Sequence, residues 1–169
     1  LAAVIDELLS DDIQLAIIGT GDWKYEQFLR DNQWQYPYKL SVNIAFNSEL
    51  AQKVYGGSDI FLMPSKSEPC GLAQMIALRY GTVPIVRATG GLKDSILDYG
   101  DESGEGLGFT FQSYNALDML GAINRAKDVF YDKKEWDKLV KRGLKADFSW
   151  KQSAKLYIGL YEELCSWDK

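Results

Sequence analysis

Short apolar runs alternate along the chain with stretches in which apolar residues recur every three or four positions. Residues 4–9 carry the helical spacing and predict the tail of a helix. The run 13–18 is apolar and stops at Gly19, as a buried strand does. Helical spacing returns from Trp23 to about Arg30, a strand fits 40–46 and a helix fits 48–55. Residues 60–63 predict a third strand, followed by a helix over 71–80, a strand over 83–86 and a short helix from Leu92. The glycine-rich stretch 100–108 reads as a loop leading to a short strand at 109–111. From Asn115 onward three helical segments follow, broken near Asp132 and at Asp147-Phe148-Ser149, where Ser149 is placed to cap the last of them.

Strand, helix, strand in this rhythm implies right-handed crossovers and a Rossmann-like, doubly wound parallel sheet of the α/β class. In such a sheet ligands collect beyond the carboxyl ends of the strands. Four polar or glycine-rich segments fall there: Gly19-Thr20-Gly21, Ala45-Phe46-Asn47, the loop 64–71 and Thr89-Gly90-Gly91.

Composition narrows the chemistry. The 169 residues, 46% hydrophobic, suffice for one domain with its own core, and there is no internal repeat. No apolar stretch approaches the roughly 20 residues that cross a bilayer, and the first residues lack a basic-then-apolar signal pattern. A soluble protein in a reducing cytosol is expected. The net charge of −5, with its lysines scattered, argues against a nucleic-acid partner. Cys70 and Cys165 stand far apart with no paired spacing, so neither a zinc site nor a disulfide framework is indicated. The chain contains no histidine, which removes Ser-His and Cys-His nucleophiles and the commonest general base. Chemistry here must rest on carboxylates, amides and cations.

The most informative segment is Pro64-Ser65-Lys66-Ser67-Glu68-Pro69-Cys70-Gly71-Leu72-Ala73-Gln74. An apolar strand ends at a proline, a loop presents one carboxylate, and a glycine opens a helix whose first amides point back at that loop. Free amides at a helix start hold an anion, and Glu68 adds an acceptor for hydroxyl groups, the mixture a sugar nucleotide requires. An ordinary strand-loop-helix turn with Glu68 as a solvated cap fits the same residues. Cys70 at the helix start suits a small lining residue better than a covalent nucleophile. Gly19-Thr20-Gly21 lacks the third glycine of a dinucleotide fingerprint, since Lys24 stands there, and no acidic residue follows in the expected setting. A dehydrogenase is thereby disfavoured, while a tight turn and a pocket floor both remain open. Phe46 at a strand end fits either a core position or an aromatic platform.

Glu68-Pro69-Cys70-Gly71-Leu72-Ala73-Gln74, then 78–86 (Leu-Arg-Tyr-Gly-Thr-Val-Pro-Ile-Val) and Thr89-Gly90-Gly91-Leu92, resembles the C-terminal nucleotide-binding domain of the bacterial glycogen synthase and plant starch synthase family. The likeness extends in order through 18–22, 57–59, 104–109 and 147–150 with Tyr157 and Tyr161, nearly the whole chain. It implies the C-terminal half of a two-domain GT-B glycosyltransferase that moves glucose from ADP-glucose to the non-reducing end of an α-1,4-glucan with retention and without a metal or other cofactor. Glu68 would accept bonds from the transferred glucose. The amides of Gly71, Leu72 and Ala73 would hold the diphosphate with Cys70 lining the site, and Phe46 beside Ala45 would pack on the adenine. Gly19, Thr20 and Gly21 would floor the pocket, and Thr89, Gly90 and Gly91 would offer amides to the phosphate or glucan side. Ala73 departs from the threonine usual in the family, which puts one hydroxyl contact in doubt. Ile76 stands where the wider retaining group has a second glutamate, as in the synthase branch. The aromatics Trp150, Tyr157, Tyr161 and Trp167 read as helix packing, and the resemblance suggests that this closing helix leans across a companion domain.

The resemblance also implies what this chain lacks: the N-terminal acceptor-side domain and the arginine and lysine that neutralise the leaving diphosphate. One domain truncated at its start, inactive alone, is therefore expected, cytoplasmic in a bacterium or plastidial in a plant. Two alternatives stand beside it: a retaining glycosyltransferase that uses UDP-glucose, and a non-catalytic module that senses nucleotide or glucan.

Overall fold

The computed structural model describes residues 1–166. β1 (Leu15–Ile18) pairs in parallel with β2 (Leu40–Asn43), Leu15 opposite Leu40 and Ile18 opposite Asn43. β3 (Ile60–Met63), β4 (Val83–Arg87) and β5 (Phe109–Phe111) form a second parallel sheet in that order. A 3-10 turn at Ala2–Val4 leads into α1 (Ile5–Ser10). The remaining helices are α2 (Trp23–Gln35), α3 (Ser48–Gly57), α4 (Ala73–Tyr80), α5 (Gly90–Ser95), α6 (Ala116–Tyr131), α7 (Lys133–Lys145) and α8 (Trp150–Ser166).

Local chemistry sets most of the boundaries. Side chains cap four helix starts: Asp22 accepts from the Lys24 amide, Asn47 from Leu50, Asn115 from Leu117, and Asp132 from Lys134 and Glu135. α2 runs to Gln35, beyond the Arg30 expected, because no breaker intervenes before Pro37. β2 stops at Asn43 instead of reaching position 46, since the chain is already turning toward the Asn47 cap. Gly81, at φ +82°, ends α4 in the left-handed conformation that glycine adopts without steric cost.

β4 is buried along Val83–Val86 and shows why the class is doubly wound. Val83 and Ile85 face a core of Phe109, Phe111, Met119, Ile123, Trp136 and Leu139, contributed by β5, α6 and α7. Val86, on the opposite face, packs with Leu78 of α4, Leu92 of α5 and Ile96. A third cluster joins Ile5 and Leu9 of α1 to Leu40, with Leu15, Ile17 and Val42 against it. The neighbouring α1 residue Leu8 belongs to the first core, so this short helix bridges both sheets.

The parallel α/β class expected from sequence holds, but the ladder falls in two parts. The order β2-β1 and β3-β4-β5 is that of a 3-2-1-4-5-6 doubly wound sheet without its first strand. Among the described residues no strand pairs with the second edge of β1 or of β3. Burial follows: every β3 residue and Ile17 and Ile18 of β1 are only half-buried.

α8 corrects another expectation. None of its described residues is buried, and Trp150, Tyr157 and Tyr161 are 86%, 59% and 61% exposed, so they do not pack on the core. Their surface is left uncovered by the other described elements, which bury none of the described α8 residues; Trp167 falls outside the described residues. No helix among the described residues is long and apolar enough to cross a membrane.

Candidate functional site

The segments singled out in the sequence all follow the carboxyl ends of strands, and the two sheets divide them into two pairs. After β1, the Gly19 amide extends the ladder by donating to the Asn43 carbonyl at 3.1 Å, which sets the 19–21 turn beside the end of β2. The Gly21 amide donates to Glu26 Oε1 at 2.9 Å, and a side chain at Gly19 or Gly21 would meet open space. Beyond β2, Ala45 is exposed and Phe46 is 96% exposed. Phe46 is therefore not a core residue.

The second pair is joined directly. Pro64 closes β3, and the loop that follows runs to Leu72. Neighbouring groups hold the loop by its carbonyl oxygens. The Gly91 amide donates to Glu68 O at 3.2 Å and Pro69 O at 3.3 Å. Gln74 Nε2 donates to Cys70 O at 3.3 Å, Gly71 O at 3.1 Å and Ser95 Oγ at 3.0 Å, while Ser95 Oγ donates to Gly91 O at 2.6 Å. A Cβ at Gly90 would collide with Glu68 O, and one at Gly91 with Cys70 O. Thr89-Gly90-Gly91 is thus a platform that only glycine allows to approach so closely.

The loop's carbonyls are bonded, and its later amides are not. Among the described residues the first backbone bond of the α4 start is the one from Ile76 N–H to Leu72 O, so the amides of Cys70, Gly71, Leu72 and Ala73 remain free at the positive end of the helix dipole. Glu68 is half-buried and joins no ion pair among the described residues. Cys70 is an exposed free thiol and Leu72 is 65% exposed, whereas Gly71 and Ala73 are half-buried. The arrangement can hold an anion on amides and accept hydroxyl bonds at an adjacent carboxylate.

Sequence reasoning missed the residues that brace this loop. Gln74 is fully buried, and its Oε1 has no partner. A buried polar side chain three positions after Gly71, on the face of α4 that otherwise carries Ala77 and Leu78, was the available signal. Arg87, a charged residue closing the apolar β4, was another. A third brace lies away from the loop. The Asp98 carboxylate takes both terminal nitrogens of Arg125 at 2.9 and 3.0 Å, the Thr110 amide at 2.6 Å and the Gly100 amide at 2.9 Å. Partial burial works to raise its pKa, and these bonds outweigh it, holding the carboxyl down at about 2.

Comparison with known proteins accounts for nearly the whole chain. Residues 1–143 match the family described as glycosyl transferases group 1. The glycogen synthase of Clostridium novyi (strain NT) is 54% identical over 161 residues, covering 95% of this chain and 34% of that protein. The glycogen synthase of Lachnospira eligens is 50% identical over 165 residues, covering 97% and 34%. The chain thus spans about a third of the length of the curated relatives it matches. The catalytic domain of starch synthase IV from Arabidopsis thaliana, solved bound to ADP and acarbose, superposes with a TM-score of 0.72 at 27% identity, covering 95% of this chain and 41% of that one.

Proposed function

The chain belongs to the group 1 glycosyl transferases, and on that premise we propose that it is the C-terminal, donor-binding domain of a glucan synthase that takes ADP-glucose. One observation carries the reading: in the loop after β3 the carbonyls of residues 68–71 are bonded, while the amides of Cys70 to Ala73, two to five positions after Glu68, have no hydrogen-bond partner among the described residues. Glycogen synthases at 50% identity or more, and a starch synthase structure that holds ADP, support it.

In this reading the amides of Cys70 to Ala73 hold the diphosphate, and Phe46 stacks on the adenine, worth roughly 1–3 kcal/mol in other base-binding sites. Glu68 accepts bonds from the glucose hydroxyls, fixes the anomeric carbon, and favours the positive charge that develops on the ring. The bond from that carbon to the diphosphate breaks as the terminal hydroxyl oxygen of an α-1,4-glucan bonds to it with retention, the hydroxyl proton passing to an oxygen of the departing ADP. No metal is assigned to the site. In this reading the arginine and lysine that stabilise the departing diphosphate come from a stretch outside these residues, the acceptor side of the cleft comes from an N-terminal domain, and cytoplasmic or plastidial residence goes with that role.

Ligand-observed NMR with ADP, ADP-glucose, UDP and NAD tests the proposal. ADP contact that disappears in Phe46→Ala, together with ADP-glucose contact that weakens in Glu68→Gln while ADP is retained, is the expected result. Preference for UDP or NAD, or no contact with any of the four, would overturn the assignment of the donor.

A further inference from the structure

We infer that Arg87 is a positioning residue that sets the Glu68 loop from the far side, by tying it to the turn before α6. Arg87 closes β4, with Met63 of β3 and Phe111 of β5 ending the strands on its two sides. Its Nε donates to Ser65 O at 2.8 Å, its Nη2 to Lys66 O and its Nη1 to Gln112 O at 3.3 Å. The guanidinium also lies over the Tyr114 ring, 5.9 Å from its centre. One side chain thus spans from the β3–α4 loop to the β5–α6 turn.

The second anchor is itself fixed. Asp118 accepts from the Gln112 amide at 3.1 Å and the Ser113 amide at 2.6 Å, and Asn115 caps the first turn of α6. α6 in turn carries five buried residues, Met119, Leu120, Ala122, Ile123 and Ala126. Position is therefore passed from a packed helix through a short turn and a planar fork to Ser65 and Lys66. Gly91 and Gln74 hold the later half of the loop, residues 68–71, so Arg87 is what holds the earlier half. Lysine cannot replace it, because an ammonium group is a point donor and cannot span three carbonyls in fixed directions. The consequence for ligand rests on the donor-site reading; the mechanical link between the two loops does not.

The test is amide hydrogen exchange and ADP titration by NMR on the wild-type chain, Arg87→Lys, Arg87→Met and Arg125→Met. Arg125→Met removes a bidentate ion pair elsewhere and serves as the control for general destabilisation. In both Arg87 variants, the amide of Gly91, bonded to the loop carbonyls of Glu68 and Pro69, and the amides of Gln112 and Ser113, bonded to Asp118, should exchange at least tenfold faster, with β4 amides unchanged, and ADP should bind about tenfold more weakly. Arg125→Met should do neither to the loop. Loop exchange unaltered in Arg87→Lys, or loop and affinity changes equal to those in Arg125→Met, would overturn the inference. If the wild-type chain binds no ADP, the donor assignment falls, and the exchange measurement alone decides the role of Arg87.

Discussion

The Gly91 amide is bonded to the carbonyl of Glu68 at 3.2 Å, so the turn after β4 is built directly onto the loop that carries the proposed sugar-binding carboxylate. Gly91→Ala would drive a methyl group into Cys70 O, against backbone that Gln74 also holds. Overpacking of this kind costs about 1–3 kcal/mol. The expected result is that cost in urea unfolding, with ADP binding weakened at least tenfold. Gly21→Ala provides the contrast, since its new methyl meets open space and should change stability by less than about 0.5 kcal/mol. Equal effects from the two alanines would refute the platform role of Gly91.

Much of this site was legible in the sequence because its signals are local. Pro64, Gly71 and the Thr89-Gly90-Gly91 turn are read from conformational rules that hold wherever the residues occur, and each lies where the rhythm of strands placed it. The braces were not legible, because they depend on partners distant in sequence. Arg87 reaches 25 positions to Gln112 O, and Gln74 reaches 21 to Ser95. The exposure of α8 was hidden for the opposite reason. Its aromatic spacing is that of a packed helix, and spacing does not reveal whether anything lies against it.

The free edges of the two sheets make a prediction about exchange. Leu15 and Gly19 donate to Lys39 O and Asn43 O, so by strand alternation the amides of Ala16 and Ile18 point away from β2 toward the unpaired edge. They should exchange orders of magnitude faster than the amide of Ile85, which lies in the central strand β4. Protection of Ala16 and Ile18 equal to that of Ile85 would mean that something covers this edge in solution.

Asp98 supplies a pH-dependent part of stability. Its folded pKa of about 2 lies below the ordinary 3.8, so its contribution is complete above the unfolded value and is lost as pH falls through the folded one. The pair is partly solvated, which reduces the full linkage value to about 1–2 kcal/mol. Asp98→Asn should therefore cost that amount at pH 7. The gap between variant and wild type should narrow steadily as pH is lowered from 5 toward 2. A gap that is constant across this range in urea unfolding would show that the charge on Asp98 contributes nothing.

α8 should be dispensable for the fold. Its 17 residues bury no side chain, and Leu156, Ile158, Leu160 and Leu164 remain 78%, 55%, 49% and 49% exposed. Helices in folded proteins gain most of their stability from packing an apolar face, and α8 has none packed. A chain ending at Ser149 should unfold within about 2 °C of the parent and with nearly the same dependence on urea, since that dependence scales with the surface exposed on unfolding. It should also associate less at high concentration in sedimentation experiments, because an apolar stripe has been removed from its surface. A fall in the midpoint of 5 °C or more would show that α8 folds back onto the core in solution, and would return Trp150, Tyr157 and Tyr161 to the packing role their spacing suggests.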